Sequence, residues 1–119
     1  MDETYVLKID PKVFDRMLSG KCKYVALVNN RKIQRYVIGN YLTFICDDKE
    51  QSKQIKVSVK NLLYFDTIKD LLEMVGKEKC GYTSGTSLDK IEDIYYATHS
   101  NDKIEKFGLV ALEFSIENN

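Results

Sequence analysis

No apolar run in this 119-residue chain approaches the roughly 18 residues that a membrane-spanning helix needs. The opening MDETYVLKID carries acids and no long apolar stretch, so it does not read as a signal peptide. These absences lead us to expect a cytoplasmic protein that does not engage membranes. Histidine occurs once, at His99, which leaves no imidazole pair for a zinc site and argues against a Cys-His nucleophile. Cysteine occurs three times, at Cys22, Cys46 and Cys80. An odd number so widely spaced forms neither a disulfide framework nor a CxxC metal signature, so the three read as buried thiols in a reducing compartment. No metal and no cofactor is expected. No repeat, linker or low-complexity tract divides the chain, and its length suffices for one self-supporting core, so residues 1–119 read as a single domain. A net charge of zero argues against strong non-specific attraction to nucleic acid.

What is there is charge of one sign in one place. Residues 1–60 hold 12 Lys+Arg against 7 Asp+Glu, while residues 61–119 hold 6 against 11. From Arg16 to Cys46 there is no acid, and Arg16, Lys21, Lys23, Arg31, Lys32 and Arg35 all fall in that span. A local basic face of this kind attracts a phosphate chain even when the whole molecule is neutral. The competing reading is a solvated face neutralised by the acidic half.

Tyr5 to Ile9 reads as a first strand, and Asp10-Pro11 then supplies an N-cap and a favoured first helical residue. Val13, Phe14, Met17 and Leu18 share a face of a helix over Pro11–Ser19, which Gly20 stops. A second strand is expected over Lys21–Val28, a partly extended run over Arg31–Ile38, and a third strand over Tyr41–Ile45. Asp47 to Gln54 reads as a polar loop. Ile55, Val57 and Val59 alternate with polar residues as a half-buried strand that continues irregularly to Phe65. Thr67 begins a capping-box-like start to a helix carrying Ile68, Leu71, Leu72 and Val75 on one face. After a glycine-containing loop a third helix runs to Thr98, then a polar turn or short helix, then a final strand over Gly108–Ile116. The expected fold is α+β, a small mixed sheet closed or curled into a β-barrel of five or six strands, with two or three main helices. The alternative is a plain open sheet.

Four segments in this order, FDRMLSGK (Phe14–Lys21), RKIQRYVIGNYLTF (Arg31–Phe44), VSVKNLLYFDTIKDLLE (Val57–Glu73) and KFGLVALEF (Lys106–Phe114), are similar to those of the ASCH domains. The chain resembles a divergent member of that family, which belongs to the PUA-like superfamily. The resemblance covers nearly the whole chain. It implies a PUA-like barrel with a cleft between barrel and helices, RNA as a partner class, and in some members amidohydrolysis of an acetylated cytidine or ribonuclease action. The family motif G-K-K-T-x-E-x-R lines its cleft with polar groups. Here Gly20 and Lys21 match, but Cys22 stands at the second lysine, Lys23 at the threonine, Val25 at the glutamate and Leu27 at the arginine. A register slip of one residue returns Lys23 to the second-lysine role but restores neither acid nor arginine. Gly39 matches a second glycine, followed by Asn40 where the family has aspartate.

Residues 23, 25 and 27 share one face of a strand, and Cys22, Tyr24, Ala26 and Val28 the other. A strand apolar on both faces is most simply buried on both. The sequence thus favours an RNA- or nucleotide-binding module without catalysis. The expected contacts are Lys21, Lys23, Arg31, Lys32 and Arg35 for phosphates, with Tyr24, Tyr36 or Tyr41 stacking on bases. The alternative is an amidohydrolase or ribonuclease in which Lys21 or Lys23 works with a carboxylate such as Glu78. Cys22 has lysines on both sides but no partner base, and alternation turns it away from them. A protein-interaction module is the second alternative. A nucleoside is a possible partner beside RNA, and oligomeric state is left open, with a monomer favoured.

Overall fold

The computed structural model describes residues 3–47, 52–98 and 101–117. Its strands are β1 (Val6–Lys8), β2 (Tyr24–Val28), β3 (Tyr41–Asp47), β4 (Ser52–Phe65) and β5 (Leu109–Ile116). Its helices are α1 (Pro11–Leu18), α2 (Ile68–Val75), α3 (Leu88–Thr98) and α4 (Asn101–Phe107). The strands form one curled mixed sheet in the order β1-β3-β4-β5-β2. The β1–β3 pair is parallel, and the other three pairs are antiparallel. The fold is the expected α+β architecture, with five strands.

Local signals explain the element boundaries. The Asp10 carboxylate accepts from the Lys12 N–H at 2.9 Å and caps α1, with Pro11 in its first turn. Gly20 takes φ +83° just past the end of α1, a left-handed conformation that suits glycine, so the chain turns back toward β2. The Thr67 hydroxyl accepts from the Asp70 N–H at 3.1 Å and caps α2. At 14 residues β4 is the longest strand, and an extra residue at Lys60 breaks its register with β5 between Val59 and Asn61. Such a bulge bends a strand and increases its twist, which a curled sheet requires.

Each face of the sheet is buried against its own layer. On one side Phe14 and Met17 of α1 pack with Val25, Leu42, Phe44, Val57, Val110 and Leu112. On the other side Ile68, Leu71 and Leu72 of α2, Ile91 and Tyr95 of α3 and Ile104 of α4 cover Val28, Leu109 and Ala111. β2 is an edge strand covered on both faces, Val25 and Leu27 joining the first cluster and Tyr24, Ala26 and Val28 the second.

Several sequence expectations need correction. The strand expected from Lys21 begins at Tyr24, because the Lys23 and Tyr24 N–H groups bond the Lys79 carbonyl at 2.8 and 2.9 Å. Alternation therefore fails before Tyr24, and Cys22 packs in the same cluster as Val25. Arg31–Ile38 forms no strand: a turn leads into a 3-10 helix over Ile33–Arg35, and the backbone becomes extended at Tyr36. The Asn30 side chain accepts from the Ile33 N–H at 3.1 Å, and the helical spacing buries both Ile33 and Tyr36, which a period of two would send to opposite faces. Asp47 and Ser52 belong to strands and pair with each other, so the polar loop is shorter than expected, and residues 48–51 lie outside the described residues. So does His99. The stretch expected as a polar turn or short helix is α4.

Candidate functional site

Two features stand out. The first is the basic turn after β2. Ile33 and Tyr36 anchor it in the core, the Tyr36 hydroxyl donating to the Thr4 carbonyl. Burial, together with the neighbouring Tyr5 ring, pushes the Tyr36 phenol up to about 12. Lys32 Nζ donates to the Val6 carbonyl at 2.7 Å, tying the turn to β1. Arg31, Lys32, Gln34 and Arg35 are left on the outside. A depression of about 340 Å³ is lined by Thr4, Arg31, Lys32 and Arg35, without a carboxylate among the described residues.

The second feature is a groove of about 690 Å³ between α1, the loop before α3, and α3 itself. Val13, Gly81, Tyr82 and Ile94 supply apolar wall, and Lys12, Arg16 and Lys90 supply cations. Asp10 and Asp15 line it too, but the Asp10 carboxylate is engaged in capping α1. Asp10, Val13, Tyr82 and Ile94 also border an adjoining space of about 420 Å³ that reaches Val25 and Leu27. The loop wall is held from below, since Lys77 Nζ donates to the carbonyls of Thr86 at 2.8 Å and Ser84 at 3.1 Å. Burial pushes the Tyr82 phenol up to about 12, with Cys80 adding to the shift, and raises Tyr95 well above its ordinary value. The Tyr95 hydroxyl donates to the Ala26 carbonyl, fastening α3 to β2.

The residues singled out from sequence are distributed rather than gathered. Lys23 borders a separate depression of about 410 Å³ with Lys60, Glu113 and Ser115. It precedes β2 while Arg31 follows it, so the strand's length separates the two, about 17 Å at 3.3 Å per residue. Lys21 is exposed beyond the Gly20 turn, and Glu78 is exposed in the turn beside Lys79. No ion pair joins Glu78 to Lys21 or Lys23. Cys22 is buried; burial raises its thiol to about 11, and its Sγ lies 3.3 Å from the Tyr24 carbonyl, to which it donates. Tyr24 is half-buried against the cluster under α2, α3 and α4, its phenol raised by burial and by the nearby Glu113 carboxylate. Tyr36 is 2% exposed, whereas Tyr41 is 57% exposed with Lys56 Nζ 4.5 Å above its ring. Arg16, Lys12, Lys90 and Tyr82 were not picked as site residues from sequence. Arg16 was visible only as one member of the acid-free stretch.

These elements define a mixed α+β domain with a curled five-stranded sheet, a basic turn at one edge and a groove beneath the helices. No protein-family model and no curated protein matches the chain. Among solved structures it is similar to the crystal structure of hypothetical protein PH0355, at 20% identity and a TM-score of 0.76 over 94% of this chain and 97% of that one. It is also similar to protein PF0455 from Pyrococcus furiosus, solved by solution NMR, at 18% identity and a TM-score of 0.69 over 97% and 98% of the two chains. Likeness at this identity establishes a shared fold.

Proposed function

We propose that the protein is a non-catalytic, ASCH-like module of the PUA-like class that binds single-stranded RNA or another nucleotide-containing ligand. The observation that carries this reading is the turn bearing Arg31, Lys32 and Arg35, anchored by Ile33 and Tyr36 and, among the described residues, lined without a carboxylate. A cationic surface already fixed by its backbone loses little freedom when it meets phosphates. Tyr41 supports it. Tyr41 opens β3, the strand that pairs with β1, and its ring is exposed. An exposed ring there offers a base a stacking surface. The amidohydrolase reading has less support, because none of the cavities described above brings Lys21, Lys23 and Glu78 together.

The test is anisotropy of a labelled single-stranded RNA at increasing salt. Three phosphate contacts give a log–log salt slope of about −2, and Arg31→Ala/Arg35→Ala together flatten it by about 1.4 while weakening affinity. Equal affinity of wild type and the double variant would sink the proposal.

A further inference from the structure

The groove carries a second inference, independent of RNA. Arg16 sits in the last turn of α1 and lines the groove. Its Nε is buried and has no hydrogen-bond acceptor among the described residues. A guanidinium is five fixed donors around a permanent charge, and burying one donor unpaired costs free energy that an anion would recover. Lys12 and Lys90 add charge to the same rim, which Asp10 and Asp15 offset in part and leave net positive. The inner wall is different in kind. Val13, Tyr82 and Ile94 are continuous with Val25 and Leu27 in the adjoining space, where the Asp10 carboxylate is engaged in capping α1 and the Tyr95 hydroxyl with the Ala26 carbonyl. A volume of about 690 Å³ falls in the range of small-molecule sites.

We propose that this groove binds a small organic anion with an apolar body, its head group on Arg16 and the rim lysines and its body against Val13, Tyr82 and Ile94. The apolar strand wall selects against a ligand that needs polar recognition along its length. The cationic rim selects for a single negative end. Gly81 contributes by lacking a side chain, since a Cβ there would lie 2.8 Å from Val13 Cγ1 and disturb the wall.

The probe is 8-anilinonaphthalene-1-sulfonate, an aromatic sulfonate whose fluorescence rises in an apolar site. Saturable one-to-one binding is expected, with amide NMR shifts concentrated at Val13, Gly81, Tyr82 and Thr86. Arg16→Gln should weaken it at least fivefold, and Lys90→Glu likewise, whereas Lys69→Ala on α2 should not. The two variants lie on different helices, so loss of folding in one leaves the other to decide. The neutral N-phenyl-1-naphthylamine should bind at least fivefold more weakly than the sulfonate. Displacement by octanoate or by 1-naphthyl phosphate supports the assignment and tells a carboxylate from a phosphate head group. The proposal is overturned by displacement by neither, by shifts that map elsewhere, by equal binding of the neutral analogue, or by wild-type affinity in both variants.

Discussion

Gly81 shows how one residue holds two parts of the fold together. Its φ of +93° is in the left-handed region, and its missing Cβ leaves room for Val13 at 2.8 Å and the Cys22 sulfur at 3.2 Å. Substitution brings both backbone strain and overpacking, each costing on the order of 1–3 kcal/mol. Gly81→Ala is therefore expected to lower the melting temperature by several degrees, whereas Gly85→Ala, with open space around it, should change it little. Equal melting of the two variants would contradict the close approach of the loop to α1. Neither Val13 nor Cys22 is near Gly81 in sequence, so this requirement could not be read from the chain. Tyr36 and Tyr41 teach the same lesson. Both stood as stacking candidates, five positions apart. The 3-10 turn buries the first beside Ile33, and the start of β3 exposes the second.

At the scale of elements, caps and periodicity were readable because they act within one turn or one strand. Asp10-Pro11 started α1, Thr67 started α2, and the alternation of Ile55, Val57 and Val59 marked β4. The loop between α2 and α3 had no such signal. It is organised by Lys77, whose ammonium bonds carbonyls seven and nine residues ahead. Lys77→Met keeps most of the side-chain volume and removes both bonds, at a cost of about 1–3 kcal/mol. Amide exchange of residues 83–87 should quicken more than exchange in β4 and β5. If the loop amides keep wild-type protection, Lys77 does not hold the groove wall. The β2 segment was half legible. Its burial on both faces followed from its composition, but its start did not. The Lys79 carbonyl intercepts the backbone at Lys23 and Tyr24, a contact 55 residues away at its nearer end.

For the molecule as a whole, both cores bury ionisable groups in neutral form. Burial raises Cys22 to about 11 and Cys80 to about 12, against ordinary thiol values of 9.0. Tyr36 and Tyr82 rise to about 12 against 10.0. The folded chain thus keeps protons that the unfolded chain releases above pH 9, so this contribution to stability is complete below pH 9 and is lost as pH climbs through the folded values. The melting temperature should fall between pH 8 and pH 10.5, and by less in Cys80→Ala than in the wild type. An identical fall in both would mean that the thiol is not held neutral by the fold. The sheet order also decides how charge is used. The acid-free stretch from Arg16 to Cys46 contributes to three separate places, with Arg16 in the groove, Lys23 beside β5, and Arg31 to Arg35 beside β1.

The sequence by itself determined the α+β class, most helix and strand positions, the burial of β2 on both faces and the existence of a basic stretch. All of these follow from spacing within a few residues, where side-chain periodicity and capping operate. Tertiary structure alone decided that Lys23 and Arg31 lie apart, that Cys22 joins the core of Val25, and that Arg16 faces a loop some 65 residues further on. Those outcomes depend on a curled sheet that must bury two apolar faces at once, and burial is satisfied by contacts between distant segments that no local pattern specifies.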